Sequence, residues 1–288
     1  MKILECLKKS ENFLKMNTNQ SREESNIEAS SILTKVLNLN KATLYKNYDH
    51  KVDKISQERI QEILKLRKNS IPLSYVLNSH VFYNKDLYID ENVLIPRPET
   101  EYIINEIIKY GDLIFKEKNS CTFLDAGTGS GCVGITIANL RPAWNILLSD
   151  LYMDALIVAK VNLKIVKHDN INLICADWLS PYAKESLDFI FSNPPYIPVY
   201  DKQLDISVEQ NEPASSLFSG IDGLDDIKKI ISSAKDILSS TGILFLENGI
   251  EQSSKITSML ELNDFTDIEV HMDYNGVKRF TSSRKNYG

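Results

Sequence analysis

The sequence predicts an α/β protein in which a doubly wound, mostly parallel sheet follows a small all-helical N-terminal domain. Two observations carry this prediction. From about residue 120 onward, short apolar runs alternate with stretches of helical periodicity, a pattern typical of parallel strands joined by crossover helices. In the first 70 residues, by contrast, apolar residues recur at helical spacing and no strand signal interrupts them.

Three helices are predicted in the N-terminal domain, which we place at residues 1–75. Ser21 and Glu24 match a capping box before the second helix, and Ser56 is the predicted cap of the third. The apolar faces of the three helices are formed by Leu4, Leu7 and Leu14, by Ala29, Ile32, Leu33 and Val36, and by Ile60, Ile63 and Leu64.

Residues 76–98 are predicted to form a hairpin and a stiff connector. Two short β-prone runs, 81–83 and 87–89, are separated by a polar triplet that would turn the chain. Pro98 suits the first turn of a following helix, because the N–H groups there have no acceptor within the helix and proline therefore loses no hydrogen bond. The α/β domain is then predicted to span residues 99–288.

Five apolar runs indicate the strands of the α/β domain, and helical stretches separate them. Two further β-prone runs, 265–270 and 277–281, surround Tyr274-Asn275-Gly276 and predict a closing hairpin. The five strands are predicted at 121–125, 144–149, 171–175, 187–191 and 242–247, with helices near 131–141, 153–167, 224–239 and 250–262.

Composition favours a cytoplasmic protein. No apolar run approaches the roughly 18 residues that a membrane-spanning helix needs, and the N-terminal residues lack a signal-peptide core. The cysteines show no spacing typical of a zinc site or a redox pair, so we expect reduced thiols and no metal. These cysteines are Cys6, Cys121, Cys132 and Cys175.

The net charge of −6 hides an asymmetry along the chain. Residues 1–85 contain 15 lysines and arginines against 9 acidic residues, whereas the remainder contains 18 against 30. A basic lobe on an acidic body suggests oriented docking to an acidic partner. Solvated faces of lysine-rich helices would account for the same counts.

A glycine-rich loop follows the first predicted strand and opens the next helix. Glycines let the backbone turn tightly and let a ligand approach closely. The dinucleotide-binding fingerprint would need glycine in place of Cys132, and the Gly-Lys-Ser/Thr end of a phosphate-binding loop is missing. The candidate binding residues of the loop are Asp125, Gly127, Thr128, Gly129, Ser130 and Gly131.

Acidic and aromatic residues follow the next two strands. Asp150 ends the second strand, where an acid typically accepts hydrogen bonds from ribose hydroxyls. Asp177 and Trp178 follow the third strand, where they could flank an adenine ring. Because ligands of open α/β sheets bind outside the carboxyl ends of the strands, we expect these residues and Asn193 to converge on one site.

The tetrapeptide Asn193-Pro194-Pro195-Tyr196 follows the fourth strand. Two successive prolines cannot continue a strand or start a normal helical turn, so the chain must leave the sheet as a stiff, extended loop. The loop can present an amide side chain, an unpaired carbonyl and an aromatic ring, which suit a planar substrate NH₂ group. A rigid turn that merely ends a strand is the alternative.

These motifs together resemble a known family. The D-x-G-x-G-x-G loop at residues 125–131 resembles motif I of class I methyltransferases, which bind S-adenosylmethionine. The connector Ile95-Pro96-Arg97-Pro98-Glu99-Thr100-Glu101 beside the Asn-Pro-Pro-Tyr loop resembles the release factor N5-glutamine methyltransferases, the HemK or PrmC family. Gly220–Leu224 and Gly249–Gln252 add to this resemblance, which covers nearly the whole chain and is weaker over the first 70 residues.

The resemblance implies a class I fold with a seven-stranded sheet, S-adenosylmethionine as cofactor and a release factor as protein substrate. The methyl group would go to the side-chain nitrogen of the glutamine in a Gly-Gly-Gln motif. Asn193 and the Pro194 carbonyl would accept the two amide hydrogens, and Tyr196 would pack on the amide plane. We expect a monomer that binds no nucleic acid directly.

Three charged residues are assigned to the substrate side of the site, with alternatives left open. Arg97 and Glu99 would brace the substrate loop or the polar end of the cofactor, or form a salt bridge that pins the connector. Glu212 would orient the glutamine-bearing loop or cap the segment after it. The chain departs from the family pattern at three places: Asn78 stands where the family usually has glycine, Asn211 where it has phenylalanine, and Tyr152-Met153 where it has a Ser/Pro-like pair.

Two other functions fit parts of the sequence. Adenine N6-methyltransferases of nucleic acids share the Asn-Pro-Pro-Tyr loop, but they would need a basic face where this catalytic part is acidic. A cofactor-binding assembly factor without catalysis is the third hypothesis, and the intact loop argues against it.

Overall fold

A computed structural model describes residues 1–165, 169–202 and 204–286 of the chain. The chain divides into two compact units. The first unit comprises Met1–Ser79 and Ile206–Asn211, and the second comprises His80–Asp205 and Glu212–Gly288.

Helices and strands follow one another along the described ranges with these bounds. The helices are α1 (Ile3–Asn17), α2 (Arg22–Val36), α3 (Lys41–Lys46), α4 (Lys54–Lys68), α5 (Leu73–Leu77), α6 (Pro98–Lys118), α7 (Cys132–Leu140), α8 (Met153–Asn162), α9 (Ile206–Asn211), α10 (Asp225–Ile237) and α11 (Ser253–Leu262). The strands are β1 (His80–Phe82), β2 (Lys85–Leu87), β3 (Thr122–Ala126), β4 (Asn145–Asp150), β5 (Ile171–Cys175), β6 (Leu187–Ser192), β7 (Leu238–Glu247), β8 (Phe265–Met272) and β9 (Lys278–Lys285).

The first unit is helical, and the three predicted helices correspond to α1, α2 and α4. The capping box at α2 is confirmed: the Ser21 hydroxyl accepts the Glu24 N–H, and the Glu24 carboxylate accepts the Ser21 N–H at 2.7 Å. The predicted cap of α4 is wrong. The cap is Asp53, whose carboxylate accepts the Ser56 N–H at 2.9 Å, so the helix begins at Lys54, before the predicted cap.

Asn78 ends α5 in the left-handed conformation, with φ 47° and ψ 44°. Only glycine adopts this conformation without steric cost, and asparagine is the next best tolerated residue. This conformation explains why asparagine can stand where the family usually has glycine.

The hairpin before the α/β domain is confirmed, but its second strand is displaced. The turn consists of Tyr83 and Asn84, both at positive φ, and Phe82 pairs with Lys85. A two-residue turn with two positive φ angles matches the twist of paired strands. The predicted strand at 87–89 therefore lies too late by two residues.

The second unit contains a seven-stranded sheet in the order β5-β4-β3-β6-β7-β9-β8. The first five strands of this order are parallel, and β9 pairs antiparallel with both β7 and β8. The predicted fold class is confirmed, including the closing hairpin. Because β3 leads to β4 on one side while β6 lies on its other side, the switch point of the strand order falls between β3 and β6.

Several element boundaries in the α/β domain differ from the sequence prediction, among them the following two. The strand predicted at 242–247 begins at Leu238, because this segment already pairs with Leu187 of β6 across a register shift. The helix predicted at 153–167 ends at Asn162 and continues as a 3₁₀ turn to Ile165, and its last two predicted residues lie outside the described ranges. Within those ranges, no helix is long and apolar enough to cross a membrane.

Candidate active site

A cavity of about 380 Å³ opens at the carboxyl edge of the parallel strands. This volume lies within the range of roughly 300–1,000 Å³ that small-molecule sites occupy. Ten of the predicted site residues line it: Asp125, Gly127, Thr128, Gly129, Ser130, Asp150, Asp177, Trp178, Asn193 and Pro195. The other predicted site residues are not part of the lining: Gly131, Pro194, Tyr196, Arg97, Glu99 and Glu212.

The glycine-rich loop is shaped by Asp125, the buried acid at the end of β3. One oxygen of its carboxyl group accepts hydrogen bonds from the Thr128 hydroxyl at 2.7 Å and from the Gly134 N–H at 2.9 Å. Burial raises the pKa of Asp125 to about 6, although these two donors oppose the rise. Gly131 has φ +81° and caps α7, so the loop passes directly into a helix N-terminus.

Gly129 leaves the space above the loop open. It has φ +53°, and a Cβ built there would meet no atom within 4 Å. The Gly129 N–H donates to Asp150 at the end of β4, at 2.9 Å. The loop therefore presents bare backbone to the cavity while its amide is tied to the neighbouring strand.

Asp150 lies where a ribose-binding acid is expected. Its second carboxylate oxygen accepts the Tyr152 N–H at 3.0 Å, and burial raises its pKa. Each carboxylate oxygen has a further lone pair beyond these backbone bonds. The side chain is thus held in one orientation at the cavity wall and can still accept hydroxyl hydrogens.

Trp178 lines the cavity and packs on the glycine-rich loop. A Cβ at Gly127 would lie 3.0 Å from Cζ3 of the indole, so the edge of the ring comes close to the loop where the residue is glycine. The Trp178 backbone is left-handed, with φ +45°, which is uncommon for a bulky residue and requires support from its surroundings.

The Asn193-Pro194-Pro195-Tyr196 loop leaves the sheet beside the glycine-rich loop. The Ser192 hydroxyl donates to the carbonyl of Ala126 at 2.7 Å, which joins the ends of β6 and β3. Asn193 lines the cavity, and its side chain makes no hydrogen bond to any residue in the described ranges. The amide is therefore available to a ligand.

Two segments quoted for the family resemblance hold this loop from behind. The Gln252 amide donates to the Tyr196 carbonyl at 2.9 Å and accepts the Gly249 N–H at 2.8 Å. A Cβ at Gly223 would lie 2.2 Å from the same carbonyl, and its φ is +72°. Glycine is needed at 223 because the loop backbone passes directly against it.

Tyr196 faces a buried carboxyl group as well as the back of the loop. Its hydroxyl lies 3.5 Å from Glu247, and the Thr100 hydroxyl donates to the other oxygen of Glu247 at 2.9 Å. Burial raises the pKa of Glu247 to about 7, against the opposing effects of Thr100 and Arg279. Burial also raises the pKa of Tyr196, so the phenol stays protonated.

Arg97 and Glu212 form the salt bridge that was one alternative for the connector. The guanidinium lies 2.8 Å from one oxygen of Glu212, and the other oxygen accepts the Ile95 N–H at 3.1 Å. The Glu212 side chain is 2% exposed, so its carboxylate is committed to the connector. Glu99 lies in the first turn of α6 and does not line the cavity.

Sequence reasoning missed residues that hold the site together over long chain separations. Asn162 donates to the carbonyls of Ser130 and Tyr88, both at 2.9 Å, and accepts the Tyr88 N–H. It thereby joins the connector to the glycine-rich loop. Glu247 had a detectable signal, since an acid that ends an apolar strand matches the position of Asp150.

The fold and the cavity define a methyltransferase built on a seven-stranded, mostly parallel sheet. The family model for the methyltransferase small domain matches residues 113–215. Two solved structures show the same fold at low sequence identity. They are a methyltransferase from Pyrococcus furiosus (TM-score 0.51, 15% identity, 82% of this chain and all of that one) and the hMettl16 catalytic domain with an RNA hairpin (TM-score 0.54, 16%, 82% and 83%).

Closer relatives show the family. The model for the PrmC N-terminal domain matches residues 5–77. The release factor glutamine methyltransferase of Francisella tularensis is 35% identical over 257 residues, which is 89% of each chain. That of Coxiella burnetii is 33% identical over 259 residues, covering 90% of this chain and 91% of its own. The chain belongs to the release factor glutamine methyltransferase family.

The raised pKa of Glu247 predicts a pH-dependent stability that Glu247→Gln removes. The folded state binds the proton more tightly than the unfolded state, whose pKa is near 4.5. The contribution of Glu247 to the free energy of unfolding should therefore fall as pH rises from about 4.5 to about 7, by on the order of 3 kcal/mol. Urea denaturation of both proteins at pH 5 and pH 8 measures this, and the Gln variant should gain relative to wild type at pH 8.

The difference between the two free energies of unfolding at each pH removes the contribution of Asp125. Burial raises the pKa of Asp125 as well, and this residue is present in both proteins. Glu261→Gln removes an exposed carboxylate from α11 and serves as the control for loss of one charge. Parallel pH curves for wild type and Glu247→Gln would contradict the raised pKa.

Proposed function

We propose that this protein transfers the methyl group of S-adenosylmethionine to a glutamine side-chain nitrogen in the Gly-Gly-Gln motif of a peptide chain release factor. One observation carries the proposal. Residues of the glycine-rich loop, Asp150, Trp178 and Asn193 come from four different strand ends and line one cavity. Family membership supports the same reaction, because the relatives are named for it.

The cavity residues fit S-adenosylmethionine in shape and in chemistry. The bare backbone around Gly129 suits the amino acid end of the cofactor, and Asp150 suits the two ribose hydroxyls. Trp178 and Asp177 suit the adenine, with the indole offering a flat face. When bound, the cofactor supplies an electrophilic methyl carbon on a sulfonium group.

The task of the protein is to hold a poor nucleophile in line with that carbon. The lone pair of an amide nitrogen is delocalised into its carbonyl, so the nitrogen attacks only when it is well placed. The Asn193 carbonyl oxygen and the Pro194 backbone carbonyl would accept the two N–H hydrogens. Both acceptors also stabilise the positive charge that grows on the nitrogen during transfer. The extra proton can leave to water afterwards.

The geometry supports a more limited role for Tyr196 than direct stacking on the amide plane. Its hydroxyl is directed to Glu247, and its carbonyl is bound by Gln252. Tyr196 would therefore fix the loop that presents Asn193 and Pro194, together with the fixed φ angles of the two prolines. Arg97, Glu99 and Glu212 would shape the connector beside the site rather than touch the substrate.

The N-terminal domain, residues 1–75, would dock the release factor. Its excess of basic residues favours an acidic partner surface, whereas the acidic remainder of the chain disfavours a nucleic acid at the catalytic cavity. We place this reaction in the cytoplasm, with the enzyme acting as a monomer.

Replacing Asn193 with Ala should lower kcat by on the order of 10²–10³, because the reacting nitrogen loses one preorganised acceptor. Methyl transfer to a release factor under saturating cofactor measures the effect. Asn92→Ala, at the rim of the same cavity, is the matched control and should stay within a few-fold of wild type. Near-normal turnover by Asn193→Ala would contradict the mechanism.

The substrate class is tested with methyl-labelled S-adenosylmethionine and three acceptors: a release factor, the same factor with its Gly-Gly-Gln glutamine replaced by Ala, and a nucleic acid. We expect label on the wild-type factor alone. Label on the nucleic acid would favour an adenine N6-methyltransferase, and label on none would favour a different protein target or a cofactor-binding role without catalysis.

A further inference from the structure

The indole of Trp178 is held by a residue that the proposed reaction does not use. Its Nε1–H donates to a carboxylate oxygen of Asp226, at 3.1 Å. Asp226 lies in the first turn of α10, 48 residues away along the chain, and lines the same cavity. This bond engages the one polar atom of the indole, so it fixes the rotation of the ring.

The Asp226 carboxylate is itself held in place. Its other oxygen accepts the hydroxyl of the buried Ser219 at 2.7 Å, and that hydroxyl accepts the Asp226 N–H at 2.8 Å. The ammonium of Lys229 lies 3.1 Å from the oxygen that binds the indole. The Asp226 side chain is 18% exposed, so these contacts are partly shielded from water.

The indole is therefore held from two sides. Gly127 leaves room for the Cζ3–Cη2 edge of the ring, and Asp226 fixes its nitrogen. A ring that is already oriented loses little conformational freedom when a flat ligand packs on it, which improves affinity without adding a contact. Neither the left-handed backbone of Trp178 nor the glycine alone would set the rotation about the side-chain bonds.

We propose that Asp226 is a positioning residue for cofactor binding: it holds the Trp178 indole in the plane on which the adenine packs. The inference rests on the proposed function, because it takes an adenosyl cofactor as the ligand of the cavity. It goes beyond that function in assigning affinity for the adenosine part to the Asp226–Ser219 pair.

Tryptophan fluorescence offers a direct measurement, since the chain has two tryptophans, Trp178 and the buried Trp144. In a Trp144→Phe background, Trp178 is the only reporter. S-adenosylmethionine and S-adenosylhomocysteine are titrated into this parent and into its Asp226→Ala and Asp226→Asn variants. Calorimetry on the chain with Trp144 intact repeats the comparison without the background substitution.

Asp226→Ala should shift the emission of Trp178 in the free protein and raise the Kd of both ligands about 10-fold. Asp226→Asn keeps an acceptor oxygen and should stay within about threefold of the parent. Asp225→Ala is the matched control, because Asp225 is the adjacent acid in the same turn and pairs with Lys228; it should change neither value. In turnover, Asp226→Ala should raise the KM for S-adenosylmethionine and leave kcat within about twofold.

A double variant separates positioning from direct contact. Trp178→Phe lacks the indole nitrogen, so adding Asp226→Ala to it should weaken binding no further, as measured by calorimetry. Additive losses would mean that Asp226 binds the ligand itself, and would overturn the inference.

Unchanged affinity in Asp226→Ala would also overturn the inference, and so would an Asn variant as weak as the Ala variant. Failure of the parent itself to bind either adenosyl compound would overturn the proposed function and the inference together. The two failures are distinguishable, because only failure of the proposed function leaves the protein with intact Asp226 unable to bind the ligands.

Discussion

Parallel strands that lie side by side end at the same edge of their sheet, and the whole candidate site depends on that constraint. Ala126, the last residue of β3, pairs with Ser149 of β4 on one side and with Ser192 of β6 on the other. The glycine-rich loop and the Asn-Pro-Pro-Tyr loop therefore start beside each other. The strand order reverses between β3 and β6, the position at which open α/β sheets bind ligands, and residues of both loops line the cavity.

Stiffness of the loops is the second requirement, and the structure supplies it mainly through hydrogen bonds between side chains and the backbone of the loops. Gln252 holds the carbonyl of Tyr196, and Asp125 and Asp150 each bind a backbone N–H of the glycine-rich segment or the helix after it. Such contacts leave the Asn193 amide and the Gly129 surface free for ligands. Buried acids with raised pKa values, Asp125 and Glu247, are part of this support, so rigidity comes at some cost in stability near neutral pH.

Features that depend on local sequence were predictable. Apolar runs located the strands, glycines and prolines located the loops, and the residues that end each strand pointed to one edge. Ser21 could be recognised as a cap because its partner Glu24 lies three residues away. The cap of α4 is Asp53 and not Ser56, because the apolar residues that indicate the helix do not locate its first turn.

Contacts between distant segments could not be predicted in this way. Arg97 and Glu212 are 115 residues apart, and nothing in either local pattern selects their salt bridge over contact with a substrate. The bond from Thr100 to Glu247 spans 147 residues. Such pairs follow from the sheet order and from the path of the connector, which pattern reasoning does not supply.

A crystal structure with S-adenosylhomocysteine bound would test the central claim most directly, because it shows which strand ends hold the ligand. We predict the ribose hydroxyls on Asp150, the adenine against Trp178 and the amino acid end over Gly129, with the sulfur facing the Asn193 amide. A ligand bound away from the carboxyl edge, or a sulfur facing away from Asn193, would contradict the account.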